Sequence, residues 1–518
     1  MSLHLNESLA DFLKEVRLTS PDQKIYLVGG AVRDLALGQA VKDLDFVVKN
    51  GSVRLAKAVR RRFDGVWYTL DDEHQTARVI LRQGQAGELI LDFTSFIGEN
   101  LEEDLRQRDF TINAMAIDLD NLDEIIDPLG GQIDLASRQL RLSNPGSLLG
   151  DPLRVLRAVR LIRKFDLSYS LEVTEQLRVA TLDLNKISGE RIRDELLKCL
   201  ALPDLAETYR LLKEFGILYE LLNTVYQVNP PDEVRANAAS GDLSALFDYY
   251  AEIYRPAWST VEGESASAVG VLKVLEEILR DIEAGRPASA FVNFDQNTPS
   301  SGNYMRALNS MLDESLQGGR TRKQLLVLFA LFFFHQPFYL TVSQVNGFCG
   351  RDQIELDCHE FGELISNTLM LGQKEQKSFE QVCAGYRNIT CMTWEQEIGP
   401  LELYRFFREV GSFGVESAIL QIAYQYAIQL QHRKIQPLAS EIILTWLQDH
   451  ETIVDPPRLI DGDDLKTNLQ LEPGPEIGYY LEAVREAQVT GLVAERSGAL
   501  AYVSRLMREK RNHDIAFE

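Results

Sequence analysis

Cysteine is scarce in this chain, with 5 residues in 518. Cys199, Cys349, Cys358, Cys383 and Cys391 form no CxxC pair and have no histidine at ligand spacing. That excludes a zinc finger or ribbon and a disulfide framework, and the cysteines are expected to be reduced and buried. Long apolar runs are missing too. The longest, Leu325 to Phe334, falls well short of the roughly 20 residues that cross a bilayer. It is expected to be a core helix, and no membrane partner is expected. The opening MSLHLNESLADFLKEV carries acidic side chains, unlike a secretory signal, and spaces its apolar residues as an amphipathic helix does. A soluble, cytoplasmic protein is the expectation.

Positive charge is also in deficit. The 54 Lys+Arg face 77 Asp+Glu, a net charge of −23, which argues against a polyanionic partner because phosphate binding draws on Lys and Arg. The deficit is uneven, however. Residues 1–200 hold 27 basic and 32 acidic side chains, whereas the remainder holds 27 and 45. Within 151–200 the balance reverses to 10 basic against 8 acidic, including the one-sided run Arg154, Arg157, Arg160, Arg163 and Lys164. An RNA backbone contact would lie there, since a local stripe matters more than the total. By charge alone, though, such a run is a solvated helix face.

Hydrophobic content of 45% and charged content of 25% are those of a globular protein with ample material for several cores. Up to about residue 120 short β-rich runs alternate with helical ones. Ile25–Val28 reads as a buried strand stopped by Gly29-Gly30, with a helix from Ala31; Leu44–Val48 is a second strand, and Val53–Phe63 has helical spacing. Val66–Leu70, Ala77–Arg82 and Glu88–Phe96 read as further strands. The expectation is an α/β head on one mixed sheet with an antiparallel portion. After Asp134 the pattern is helical. Breaks fall at Asn229-Pro230-Pro231, at Gly285 to Tyr304 and at Asp455-Pro456-Pro457, the second expected to be a long mobile loop centred on Asn297–Asn303.

Asp43 and Asp45 lie one residue apart on a strand, so both carboxylates project from one sheet face. Two carboxylates so placed suit a pair of Mg²⁺ ions acting on an attacking hydroxyl and a leaving oxygen. The upstream Gly29-Gly30 turn, opening onto a helix, offers N–H groups to a triphosphate. A lone DxD is usually a turn or an exposed edge. Strand, double glycine, helix and DxD strand together are far more specific.

Gly29-Gly30-Ala31-Val32-Arg33-Asp34 with Asp43-Leu44-Asp45 resembles the signature of class II tRNA nucleotidyltransferases and bacterial poly(A) polymerases, of the polymerase-β-like superfamily. Glu102 to Ala116, including Arg108-Asp109 and Asn113, resembles that family's second motif, and Asp127 to Leu135 its hinge. Asp151-Pro152-Leu153-Arg154, continuing to Arg160, resembles its base-reading motif, and Ser188-Gly189-Glu190-Arg191-Ile192 its last neck motif. Asp461 to Leu465 and Pro473 to Gly478 are similar to its tail, while residues 225–320 match nothing recognisable.

The resemblance implies a nucleotidyltransferase head over 1–135, a helical neck over 136–200, a helical body with an unmatched insertion over 201–330 and an all-helical tail over 331–518. Asp43 and Asp45 would be catalytic and hold the metals. Asp92 would be a third acidic position, a reading level with that of an edge aspartate. Gly29, Gly30 and Arg33 would lie against the nucleotide. Arg108 would contact its phosphate, Asp109 its ribose 2′-hydroxyl, and Asn113 would support both. Asp151 and Arg154, three apart on a helix, would read the base edge with Arg157 and Arg160 beside them. On spacing alone Asp151 and Arg154 would form a salt bridge within the helix.

Three departures from the family pattern stand out. Gln107 takes the place of an Arg, Gly150 takes the place of a Glu before the base-reading pair, and Phe93–Phe96 runs through Ile97–Asn100 straight into Leu101. In members that complete the whole CCA end, a flexible basic loop lies at that last position and switches the pocket from C to A; members that stop after CC have it shortened. The expected activity is therefore CMP addition from CTP to the acceptor arm of tRNA, with a separate A-adding enzyme following. Full CCA addition with ATP as well, poly(A) synthesis and a silent RNA-binding scaffold are the rivals.

Overall fold

In the computed structural model the described residues are 5–71, 75–82, 88–226, 268–286, 290–291, 299–335, 351–392, 398–427 and 435–516. The chain divides into two units, Met1–Leu202 with Leu211–Phe247, and Pro203–Arg210 with Asp248–Glu518.

The first unit opens with helix α1 (Glu7–Leu18), whose N-terminus is capped by the Asn6 side chain accepting from the Leu9 N–H at 2.8 Å. Its head carries β1 (Ile25–Val28), α2 (Gly30–Ala36), β2 (Asp43–Val48) and α3 (Ser52–Phe63), then β3 (Val66–Asp71), β4 (Thr76–Arg82), β5 (Glu88–Ser95) and α4 (Leu101–Arg106). The strands β6 (Ala116–Asp118) and β7 (Asn121–Ile126) and helix α5 (Gly131–Ala136) complete it. The seven strands form one sheet in the order β3-β4-β5-β2-β1-β6-β7. Only β2 and β5 run parallel; the other neighbours are antiparallel. The mixed sheet is thus as expected. β6 and β7 were not anticipated, because one is three residues long and the other is an acid-rich edge strand, Asn-Leu-Asp-Glu-Ile-Ile, with little apolar alternation.

Alternation along the strands decides which face is chemical. Leu44 and Phe46 of β2, Ala77 and Val79 of β4, and Leu91 and Phe93 of β5 are buried on the side that α3 covers with Leu55, Ala56 and Val59. Phe46 and Phe93 stack with centroids 5.0 Å apart. The opposite face is therefore left to Asp43, Asp45, Arg78 and Asp92.

The neck consists of α6 (Arg154–Phe165), α7 (Leu171–Thr181) and α8 (Gly189–Leu200). α6 packs on α8. Its residues Val155, Leu156, Ala158, Val159, Leu161 and Ile162 are buried while its arginines lie on the other side.

The second unit is helical through its described residues, apart from an isolated bridge between Ser315 and Thr321. Leu325–Phe334 lies in the helix Arg322–His335, apolar nearly all round and buried, as expected of a core helix. Arg322 ties it to Glu416 through contacts of 2.6 and 2.8 Å. Asp461 and Asp464 form a capping box at the helix Gly462–Leu469, and Pro475 starts the helix Pro475–Val489. Leu465, Tyr480, Val484 and Val503 form the core there.

Two expectations are corrected here. The long loop is interrupted: Pro299–Leu312 is a helix, so Pro299 to Asn303 begins an element, with Pro299 in the first turn where its missing N–H is harmless. Asn297 and Thr298, like the break at Asn229–Pro231, lie outside the described residues. Cys199 is a free thiol, but Cys383 is disulfide-bonded, so the expectation of five reduced cysteines fails there. Spacing along the chain carries no information about which helices bring sulfurs together. Among the described residues no helix is long and apolar enough to cross a membrane.

Candidate active site

The parallel β2–β5 pair aligns Asp45 with Asp92, and Arg78 of β4 stands opposite Asp92 in turn. Three strands thus place a row of charge across the open sheet face. Asp43 is exposed and Asp45 half-buried. Burial pushes the Asp45 carboxyl above the ordinary carboxylate range; Arg108 and Arg157 oppose this, while Asp92 and Asp43 add to it. Asp92 is engaged by Arg78 in a two-pronged ion pair, 2.8 Å on each prong.

Among the described residues no group of three or more His, Cys, Asp or Glu side chains is gathered to hold a metal ion. Asp43 and Asp45 as a pair nonetheless fit Mg²⁺. Magnesium takes oxygen donors, and one or two carboxylates plus substrate phosphates suffice. The raised Asp45 carboxyl beside two further carboxylates is the environment a divalent cation relieves.

Gly29 joins β1 to α2 with φ 76° and ψ −141°. A Cβ there would lie 3.1 Å from Arg108 Nη1 and 3.3 Å from Asp45 Oδ2, so the missing side chain leaves the Arg108 guanidinium and the Asp45 carboxylate room over the turn. The Gly29 N–H donates to the Met115 carbonyl at 3.3 Å, which occupies one of the two glycine donors expected to face a triphosphate. Arg33 is also occupied. It is 5% exposed, donates to Asn113 Oδ1, pairs with Asp34 at 2.7 Å and lies 4.5 Å over the Phe165 ring. Burial holds its guanidinium below the usual range. Arg33 therefore braces Asn113 from beneath.

Arg108 and Asp109 follow α4. Arg108 Nη2 donates to Asp104 at 3.1 Å, and Asp104 in turn accepts from the Ile97 N–H at 3.0 Å. Asp109 is 3% exposed; its Oδ1 accepts from the Phe110 N–H at 2.8 Å and from Asn113 Nδ2 at 3.0 Å. Its Oδ2 lies 2.9 Å from Arg157 Nη2 as an ion pair. Burial works against its charge, yet Arg157, Asn113, the Phe110 N–H and Arg154 together hold the carboxyl below the ordinary range. Arg157 is correspondingly raised, Asp109 being the main cause. Three buried atoms here have no aligned hydrogen-bond partner: Arg108 Nε, Asp109 Oδ2 and Arg157 Nε. Buried polar atoms left open are rare in folded proteins, and a bound ligand is one of the things that satisfies them.

Asp151 departs from expectation. α6 begins at Arg154, so Asp151 lies in the turn before it, where its Oδ1 accepts from the Leu153 N–H at 3.3 Å. Its ion-pair partner is Arg191 of α8, Nη2 to Oδ2 at 2.9 Å, and not Arg154. A helix that starts at Arg154 cannot stack position 151 on the same face, which is why the pair within the helix does not form. Arg154 Nη1 donates instead to the Ser147 carbonyl at 2.6 Å, and burial lowers its guanidinium. Arg160 does not reach this cluster; it joins Glu195 of α8 at 2.5 Å.

The structure thus brings Asp43, Asp45, Asp92, Gly29, Arg108, Asp109, Asn113 and Arg157 to one side of the head, with Asp151 and Arg154 at the start of α6. Arg33 and Arg160 serve as braces. Arg78, Asp104 and Ser147 were not singled out from the sequence. Arg78 meets Asp92 only through the β4–β5 register, Asp104 holds Arg108 from the preceding helix, and Ser147 acts through its carbonyl, which no residue type signals.

Three family models match the chain: the poly(A) polymerase head domain over residues 25–141, the RNA- and SrmB-binding site of polymerase A over 170–226, and tRNA nucleotidyltransferase domain 2 over 367–503. A CC-adding tRNA nucleotidyltransferase of Geobacter sulfurreducens is 28% identical over 93% of this chain and 91% of its own length. Another of that name, from Synechocystis, is 25% identical over 93% of each. Among solved structures, the Thermotoga maritima CCA-adding enzyme complexed with tRNA matches the fold with a TM-score of 0.58 and 19% identity, covering 97% of both chains.

Proposed function

Because the chain belongs to the CCA-adding enzyme family, we propose that it adds CMP from CTP to tRNA 3′ ends without a nucleic-acid template and stops after CC. The observation that carries the CC product is the connection between β5 and α4, only five residues from Phe96 to Asn100. It is pinned at both ends. The Phe96 N–H donates to the Val48 carbonyl at 2.9 Å, and the Asn100 side chain caps α4 by accepting from the Glu103 N–H at 3.0 Å. No length remains for a lever that could reshape the pocket for ATP, so one base geometry persists. Two curated relatives that each span 93% of this chain carry the name CC-adding, which supports the same reading.

In the reaction the 3′-hydroxyl of the tRNA attacks the α-phosphorus of CTP, the new ester forms in line with the breaking bond, and pyrophosphate leaves. Asp43 and Asp45 would hold two Mg²⁺ ions, which supply charge neutralisation for the phosphates and acidity for the attacking hydroxyl. The protein's own groups do the positioning. Arg108, seated over Gly29, takes a phosphate oxygen. Asp109 Oδ2 accepts from the ribose 2′-hydroxyl, which a deoxynucleotide lacks. Asn113, braced by Arg33, keeps that carboxylate in place. Asp151 and Arg154 present an acceptor and a donor to the base edge, replacing a template strand. Residues 331–518 would hold the acceptor arm by shape and backbone, and a separate A-adding enzyme would finish the end.

Extension of a tRNA lacking CCA, at single-nucleotide resolution with CTP, ATP or both, tests this. A product that stops at two C residues with ATP present is the expected result. A terminal A would overturn the CC reading and leave the transferase standing, and a ladder with ATP alone would point to poly(A) synthesis.

A further inference from the structure

We propose that Arg191 is a positioning residue for base selection, holding the Asp151 carboxylate at the one place where it accepts from the amino group of cytosine. The inference rests on the base-reading role of Asp151 given above. Asp151 precedes α6, so the helix does not fix its side chain; the Leu153 N–H at 3.3 Å on Oδ1 is a long contact. Arg191 Nη2 at 2.9 Å on Oδ2 is the stronger anchor.

The neighbouring position supplies no help. Gly150 has no side chain, and a Cβ built there would meet nothing within 4 Å, so the space beside Asp151 is open. Arg191 itself projects from a fixed base. Glu195, one turn further along α8, is held by Arg160 of α6 at 2.5 Å and by Lys198 at 3.1 Å. Cys199 Sγ donates to the Leu156 carbonyl at 3.4 Å one turn beyond that. The two helices are thus locked along their length, with the Arg191–Asp151 contact at the open end.

The pair is too exposed to matter for the fold, with side chains 53% and 25% accessible. Its value lies in geometry. Cytosine and adenine both present an amino donor beside a ring acceptor, so an Asp and an Arg can pair with either. What separates them is how far the amino group stands from the triphosphate cradle. A carboxylate free to swing follows either base, whereas one tied down accepts from one. Each oxygen retains a lone pair for the base while Arg191 occupies the other.

The test is steady-state kinetics of the first addition, with CTP and with ATP, for Arg191→Ala, Arg191→Lys, Asp151→Ala and the Ala double variant. Losing a charge-assisted anchor should lower the CTP-over-ATP ratio of kcat/KM in Arg191→Ala by about tenfold or more, mainly through KM for CTP. Arg191→Lys, which can keep the single Nζ-to-carboxylate contact, should recover part of the ratio. The double variant should be no worse than Asp151→Ala, because a residue acting through another adds nothing once that one is gone. A full ratio in Arg191→Ala alongside a lost one in Asp151→Ala would overturn the proposal, as would additive losses or a Lys variant no better than Ala. A full ratio in Asp151→Ala would sink the base-reading assignment itself, and the positioning role with it.

Discussion

Gly29→Ala tests whether the active face depends on a close approach over the β1–α2 turn. At φ 76° and ψ −141° the residue sits in a region reserved almost wholly for glycine, and a side chain there costs about 1–3 kcal/mol in backbone strain. The added Cβ would also lie 3.1 Å from Arg108 Nη1 and 3.3 Å from Asp45 Oδ2. Neither neighbour yields freely, since Asp104 holds Arg108 at 3.1 Å and Asp45 is rooted in a central strand. Taking about 2 kcal/mol as the sum, the head should melt about 4–8 °C lower. Displacing a preorganised donor from the phosphate should also reduce CMP incorporation about a hundredfold. Gly150→Ala is the matched control, with no neighbour within 4 Å of the new methyl group and no positive φ; its melting should be unchanged. Differential scanning fluorimetry and single-turnover CTP incorporation read both quantities. A Gly29→Ala protein that melts with the parent and incorporates CMP at the parent rate would refute the close-approach argument.

Asp43→Ala and Asp45→Ala should each abolish incorporation while leaving tRNA affinity in a gel shift nearly intact; appreciable turnover in either would remove the pair from the metal role. Asp109 should contribute a pH-dependent part of head stability. Its folded carboxyl is held below the ordinary value of about 3.9. The contribution is therefore complete above the unfolded value and is lost as pH falls through the lower, folded one. Acid melting curves of Asp109→Asn should accordingly be shallower than those of the parent below about pH 4 and offset to lower temperature at neutral pH; parallel curves across the acid range would show that Asp109 is not a linked group.

Elements with a strong local signal were legible from sequence. β1 ends at a double glycine, β2 alternates acid with apolar residues, and Leu325–Phe334 is too apolar to lie anywhere but in a core. The strands at Ala116–Asp118 and Asn121–Ile126 were not, because a three-residue strand and an acid-rich edge strand exist through their neighbours' hydrogen bonds more than through their own pattern. Pro299–Ser301 reads as loop by composition, but a proline in the first turn begins a helix as readily as it ends a strand.

The same division runs through the site. Asp43 and Asp45 could be read from spacing because one strand carries both, whereas Arg108-Asp109 was legible only through the family resemblance, since the Asp109 ion pair comes from Arg157 of α6. Asp92 gained meaning only from register: it stands beside Asp45 because β2 and β5 run parallel, a fact set by a crossover through α3, β3 and β4 that no short motif encodes. Asp151 shows the limit most sharply. Its spacing to Arg154 predicts a shared helix face, yet the helix starts three residues later and the partner comes from Arg191, forty positions downstream. Spacing within an element constrains side chains only where that element already exists. At helix ends, where the backbone has not yet taken helical angles, the neighbour in space decides. That is also why net charge misleads for this chain. A total of −23 says little about a site where Arg108, Arg154, Arg157 and Arg191 are set against Asp45, Asp109 and Asp151 within one head and neck, a local near-balance that a phosphate chain and its cations can enter.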